Sequence, residues 1–151
     1  MTHFEKTAAR QLFPCWDDPA YKTTFDIEVT HEDEYTVLSN MPVLKIDDAN
    51  GDVLIDEPNM KCTKFVTTMM STHQLVILLQ PYDIFTDLTE TVHTWRKSDK
   101  TSIISFIHNT ANNISKYLQE YTATPLNHKI DHIVVPNAPY TKAQLGLIIY
   151  R

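Results

Sequence analysis

Glycine is almost missing. Gly51 and Gly146 are the only two in 151 residues, which excludes glycine-rich phosphate cradles, whose backbone amides need closely spaced glycines. Cysteine is scarce too. Cys15 and Cys62 form at most one disulfide, fix no redox compartment and cannot build a four-cysteine zinc site. Long apolar runs are absent: the longest is Leu75–Leu79, against the roughly 20 residues that span a bilayer. Met1-Thr2-His3-Phe4-Glu5-Lys6 holds no apolar signal core, so the chain by itself reads as soluble, without leader or anchor. Positive charge is in deficit, 13 Lys and Arg against 19 Asp and Glu for a net charge of −6. A nucleic-acid partner is therefore not expected, because phosphates call for a basic face.

What is present is ordinary globular material, 42% hydrophobic and 21% charged. In Lys22–Thr30, Phe25, Ile27 and Val29 alternate with polar residues, the period-two mark of a half-buried strand. Tyr35–Asn40, Lys61–Met69, Leu75–Gln80 and Thr91–Trp95 read as further strands. Val43–Asp47 and Asp52–Asp56 flank Ala49-Asn50-Gly51, a hairpin signal. Short strands at this spacing predict antiparallel sheets in a sandwich. From Asp99 to Tyr121 the apolar residues Ile103, Ile107, Ile114, Leu118 and Tyr121 mark one face of a helix. Asp99 or Thr101 caps its start and Pro125 lies beyond its end. Strands Ile130–Val135 and Leu145–Tyr150 follow. The fold class is mainly β with a C-terminal α+β part, the change falling near Arg96–Lys100. A helix and two strands are too little for an independent core, so the expectation is a segment of something larger.

No constellation announces an active site. His128 and His132 have the spacing of a helical zinc pair, but Lys129 stands where a zinc peptidase needs glutamate. The segment also leads into Ile133-Val134-Val135, and residues four apart on a strand lie roughly 13 Å apart. Two histidines around a strand entry are the better reading. Asp47–Asp52 resembles a calcium loop but, counted from Asp48, has Asn59 at the twelfth position, so a solvated turn is preferred. Asn113-Ile114-Ser115 is an N-glycosylation sequon, used only in the secretory pathway. Cys15, between Pro14 and Trp16, reads as an inert buried thiol.

Phe4–Phe25 reads FEKTAARQLFPCWDDPAYKTTF. It closely resembles the signature F-E-P-x-x-A-R-x-x-F-P-C-F-D-E-P-x-x-K-A-x-F of the aminopeptidase N type of zinc metallopeptidases. The resemblance continues at Leu38-Ser39-Asn40-Met41-Pro42, at Phe65 through Met70-Ser71-Thr72, at Lys129-Ile130-Asp131 through Pro136 (like K-x-D-x-x-x-x-P), and at Gly146-Leu147-Ile148-Ile149-Tyr150-Arg151 (like G-L-I-T-Y-R). It implies that residues 1–97 are the second half of an N-terminal β-saddle domain. Residues 98–151 are then the opening of a thermolysin-like catalytic domain.

The resemblance also implies a function, carried residue by residue. The family's zinc motif H-E-x-x-H lies downstream of the final strand and does not occur in this sequence. No metal ligand or catalytic residue is expected here, and no cofactor, zinc belonging to the parent family. At the place of the substrate motif G-A-M-E-N stand Tyr140-Thr141-Lys142-Ala143-Gln144. Ala143 replaces the glutamate that holds a substrate's α-amine, and Lys142 adds a charge of the wrong sign. Of the family's Q-F-E, His3-Phe4-Glu5 remains. Glu5 keeps a carboxylate for an amine, and His3 departs from the glutamine, so these are the candidate substrate-binding residues. The expected partner is a peptide N-terminus, with a protein partner or the rest of the parent chain beside it. The family suggests a plasma-membrane or extracellular parent. The expected function is that of an aminopeptidase N-like segment without peptidase activity of its own. A non-catalytic binding module that pairs with another chain is the alternative.

Overall fold

In a computed structural model of the chain, the residues described are 2, 8–48, 59–81, 83–84, 91–96, 101–126, 128–135, 138 and 141–151. Contacts divide the chain into two units, Met1–Pro81 and Tyr82–Arg151.

The first unit is built of antiparallel pairs. Strand β1 (Lys22–Phe25) pairs with β6 (Thr68–Ser71), and β3 (Thr36–Ser39) with β7 (Ile77–Gln80). Strand β5 (Met60–Phe65) lies between β2 (Glu28–Glu32) and β4 (Val43–Asp48). The strand expected at Lys22–Thr30 is therefore two, broken at Asp26-Ile27, and Lys61–Met69 breaks at Val66-Thr67. Both breaks occur where the chain leaves one sheet for another, as strands do at the corners of sandwiches. The expected partner Asp52–Asp56 and its Asn50-Gly51 turn lie outside the described residues. The core holds Val37, Leu38, Met41, Phe65, Met70, Leu75, Val76 and Leu78.

Side chains of the sequence motifs lock this unit. Asn40 is fully buried. Its Nδ2 donates to the Gln74 carbonyl (2.9 Å) and its Oδ1 accepts from the Val76 N–H (2.8 Å), in the manner of a paired strand. The Ser39 hydroxyl donates to the Val76 carbonyl (2.8 Å). The Ser71 hydroxyl donates to the Pro19 carbonyl (2.8 Å), and the Thr72 hydroxyl to Asp17 (3.3 Å), which also accepts from the backbone of Arg10 (3.2 Å). Thr2 donates its N–H to the Ile77 carbonyl, and Ile77 returns a bond to the Thr2 hydroxyl, each 2.9 Å.

The second unit is one mixed sheet and one helix. Its strands are β8 (Asp83–Ile84), β9 (Val92–Arg96), β10 (Ile130–Val134), β11 (Lys142–Gln144) and β12 (Leu147–Tyr150), in the order β11-β12-β10-β9-β8. The contact boundary thus places β9, which the composition change assigns to the part ending near residue 97, in the later sheet. Strands β9, β10 and β12 are parallel, and β8 and β11 run against their neighbours. The parallel pair β9–β10 needs a crossover, and α1 (Thr101–Thr122) supplies it. Asp99 lies outside the described residues. Ala123, at φ 49°, turns the chain out of the helix.

The stripe Ile114, Leu118 and Tyr121 does not face the sheet: these residues are 53%, 49% and 76% exposed. The buried side is Ile104, His108, Ala111 and Ser115, at the same helical spacing. Periodicity finds the most apolar face of a helix. Here the sheet takes the neighbouring face, where His108 bonds to the Thr94 hydroxyl (3.3 Å) and Asn112 (2.9 Å).

Candidate functional site

The residues at the place of the substrate motif form β11, a strand the sequence reading missed because Lys142-Ala143-Gln144 has no apolar alternation. A two-residue turn, Leu145-Gly146, joins it to β12, with Gly146 at φ 72°. Gln144 and Leu147 flank that turn, so theirs is the hydrogen-bonded pair of the ladder. Lys142 pairs with Ile149 in the same phase, and Ala143 with Ile148 in the opposite one. The N–H and C=O of Ala143 therefore point away from β12. No described strand lies beyond β11, and Ala143 is exposed. The edge can receive an extended peptide at Ala143. Its side chain there is a methyl group.

Behind this edge lies a buried charged cluster. Asp131, on β10, is fully buried and accepts from Lys129 Nζ, while its other oxygen lies 2.8 Å from His93 Nδ1 on β9. Burial alone would raise the Asp131 carboxyl. The His93 bond and the charge and bond of Lys129 together outweigh burial and hold it below the usual carboxylate range. Burial lowers the Lys129 ammonium, against the pull of Asp131. On the opposite face of β10, the His132 ring stacks on Tyr150. Burial lowers the His132 pKa, Asp131 opposing and His108 adding to the fall. Burial raises the Tyr150 phenol. Sequence reading found the K-x-D motif but not its third member, because His93 precedes α1 and meets Asp131 only through parallel pairing.

The remaining candidates are dispersed. His3, Glu5 and Tyr140 lie outside the described residues. His128 is exposed at the entry to β10 and His132 is buried with its Nδ1 bound to Tyr150 (2.8 Å), so the pair does not fit a zinc ion. Among the described residues, no group of three His, Cys, Asp or Glu gathers to hold a metal. Cys15 and Cys62 are free, half-buried thiols. Cys62 donates to Glu28 (2.9 Å), and this bond, with burial, raises its pKa. Asp47 forms an exposed ion pair with Lys45 (2.7 Å), and Asn113 is exposed on α1. No helix among the described residues is long and apolar enough to cross a membrane.

The family model of the Peptidase M1 N-terminal domain matches residues 1–73. The chain is 30% identical to endoplasmic reticulum aminopeptidase 2 of Homo sapiens over its whole length, which covers 16% of that protein. It is 31% identical to aminopeptidase M1 of Arabidopsis thaliana, again over its whole length and 17% of the relative. Glutamyl aminopeptidase of Homo sapiens is 29% identical over 99% of the chain and 16% of the relative. The chain thus spans about one sixth of the length of these relatives. It belongs to the M1 aminopeptidase family.

Proposed function

From that membership, we propose that the chain carries peptide-handling surfaces of an M1 aminopeptidase-like protein without the hydrolytic chemistry. Residues 1–97 are assigned to the second half of the β-saddle and 98–151 to the opening of the catalytic domain. The observation that carries the reading is Ala143 on the edge strand β11, its backbone groups turned outward. A peptide laid along this edge gains backbone hydrogen bonds at Ala143. Its ammonium meets no carboxylate at position 143, and Lys142 stands next in sequence. A lost charge-assisted hydrogen bond costs about 1.5–3 kcal/mol. The sequence contains no H-E-x-x-H, and His128 and His132 are not placed to share a zinc ion.

The test is release of N-terminal amino acids from leucine and alanine coumarylamides by the purified chain with added zinc. No release is expected, and zinc-dependent release overturns the reading. A second measurement compares binding of a peptide with that of its N-acetylated form. Ala143→Glu should favour the free amine about tenfold; an unchanged ratio sinks the assignment of this edge.

A further inference from the structure

Buried charge is costly, and the second unit buries three titratable side chains together. Asp131 on β10, His93 on β9 and Lys129 at the entry to β10 are all buried. Asp131 accepts from Lys129 Nζ, and its other oxygen lies 2.8 Å from His93 Nδ1. Well-packed apolar residues of similar volume often stabilise a fold as well as a buried ion pair does, or better. Stability alone therefore does not account for this cluster. Fixing the register between packed elements is the best-attested use of buried polar groups.

The sheet has need of such a device. Asp131 stands beside His93 on β9 and Leu147 on β12, and Ile133 beside Trp95 and Ile149. These side chains share one face of the sheet, because successive residues of a strand point to opposite faces, and all of them are buried. A slip of one residue turns every side chain of β10 to the other face. A slip of two residues, about 6.6 Å, keeps every face. It sets Ile133 beside His93 in place of Asp131, and the aliphatic side chains Ile133, Leu147 and Ile149 distinguish the two pairings poorly. The cluster distinguishes them sharply. After the slip the Asp131 carboxylate has lost His93, and a buried carboxylate short of a partner is heavily penalised.

We propose that Lys129, Asp131 and His93 form a register lock, which holds β10 against β9 at the one pairing where the carboxylate meets both partners. The lock reaches the edge strand. The Ile130 N–H donates to the Thr91 carbonyl (2.8 Å) and the Asp131 N–H to the Gly146 carbonyl (3.0 Å). The start of β10 is thus bonded toward β9 on one side and to the β11–β12 turn on the other. Strands β12 and β11 follow β10. The pairing of Asp131 with His93 therefore sets the height of the Ala143 edge relative to β9, and relative to α1, which is bonded to β9 through His108 and Thr94.

NMR of the full chain tests this with the combined variant His93→Leu, Lys129→Met and Asp131→Val, which removes all three polar groups at once. Its denaturant midpoint is expected at or above that of the parent. Its amide spectrum is expected to show a second set of signals for β9 and β10. Contacts between positions 133 and 93 should then accompany those between 131 and 93, a shift of two residues, while the parent shows one set. A variant that keeps the single register of the parent overturns the proposal, because apolar packing then sets the pairing by itself. A variant that unfolds at lower denaturant, or does not fold, overturns it too, because the cluster then serves stability.

Discussion

His132 and Tyr150 tie two parallel strands together through their side chains. The rings stack with centroids 5.8 Å apart at 15°, and His132 Nδ1 lies 2.8 Å from the phenolic oxygen. Burial lowers the His132 pKa, so the unfolded chain takes up the proton more readily than the folded one. The stability tied to neutral His132 is present above the unfolded pKa of about 6.5 and is lost as pH falls below it. His132→Phe keeps a ring for stacking and removes the titration. Thermal melting at pH 5 and pH 7.5 should differ less in the variant than in the parent. An equal difference in both would place the pH dependence elsewhere.

Asp131 makes a second acid-sensitive point. Its carboxyl is held below the usual range, so its contribution is present above the unfolded pKa of about 3.9 and is lost as pH falls through the folded value. Asp131→Asn leaves the Lys129 ammonium buried without that counter-charge and should cost about 3–5 kcal/mol in denaturant unfolding. Adding Lys129→Met should recover part of the loss, because the buried charge goes with it. No recovery would show that the carboxylate serves mainly His93.

Asn40 carries the third prediction. Asn40→Ala strips the Val76 N–H and the Gln74 carbonyl of their partner inside the first unit. The expected loss is about 2–3 kcal/mol. Asn40→Asp keeps the acceptor for Val76 but sets a buried carboxylate oxygen against the Gln74 carbonyl, and should lose at least as much. A smaller loss than in Asn40→Ala would mean that the Val76 bond dominates.

Much of this architecture is legible in the sequence. Alternation of Phe25, Ile27 and Val29 marks β1 and β2, and the helical spacing of apolar residues marks α1. Strand breaks at Asp26-Ile27 and Val66-Thr67 were not legible, because the residues on either side are equally suited to strands. Parallel pairing of β9 with β10 was hidden as well, since the pattern of a five-residue strand does not state its partner. The covered face of α1 was not legible, because His108 and Ser115 are polar and count against the side that packs. Of the site, Lys142 and Ala143 were found by motif. Their position on an edge strand follows from the Leu145-Gly146 turn, which periodicity does not register.

The three hydrogen bonds between Thr2 and Ile77 join residues 75 positions apart. A chain is made in one direction, so the clasp closes only after Ile77 has been synthesised. Until then β3 has no β7 to pair with, and Val37 and Leu38 lack the neighbours that bury them. Contacts of such long reach fold slowly and leave strand edges open to other chains meanwhile. The first unit therefore cannot complete its β3–β7 pair until the last quarter of its residues has been made.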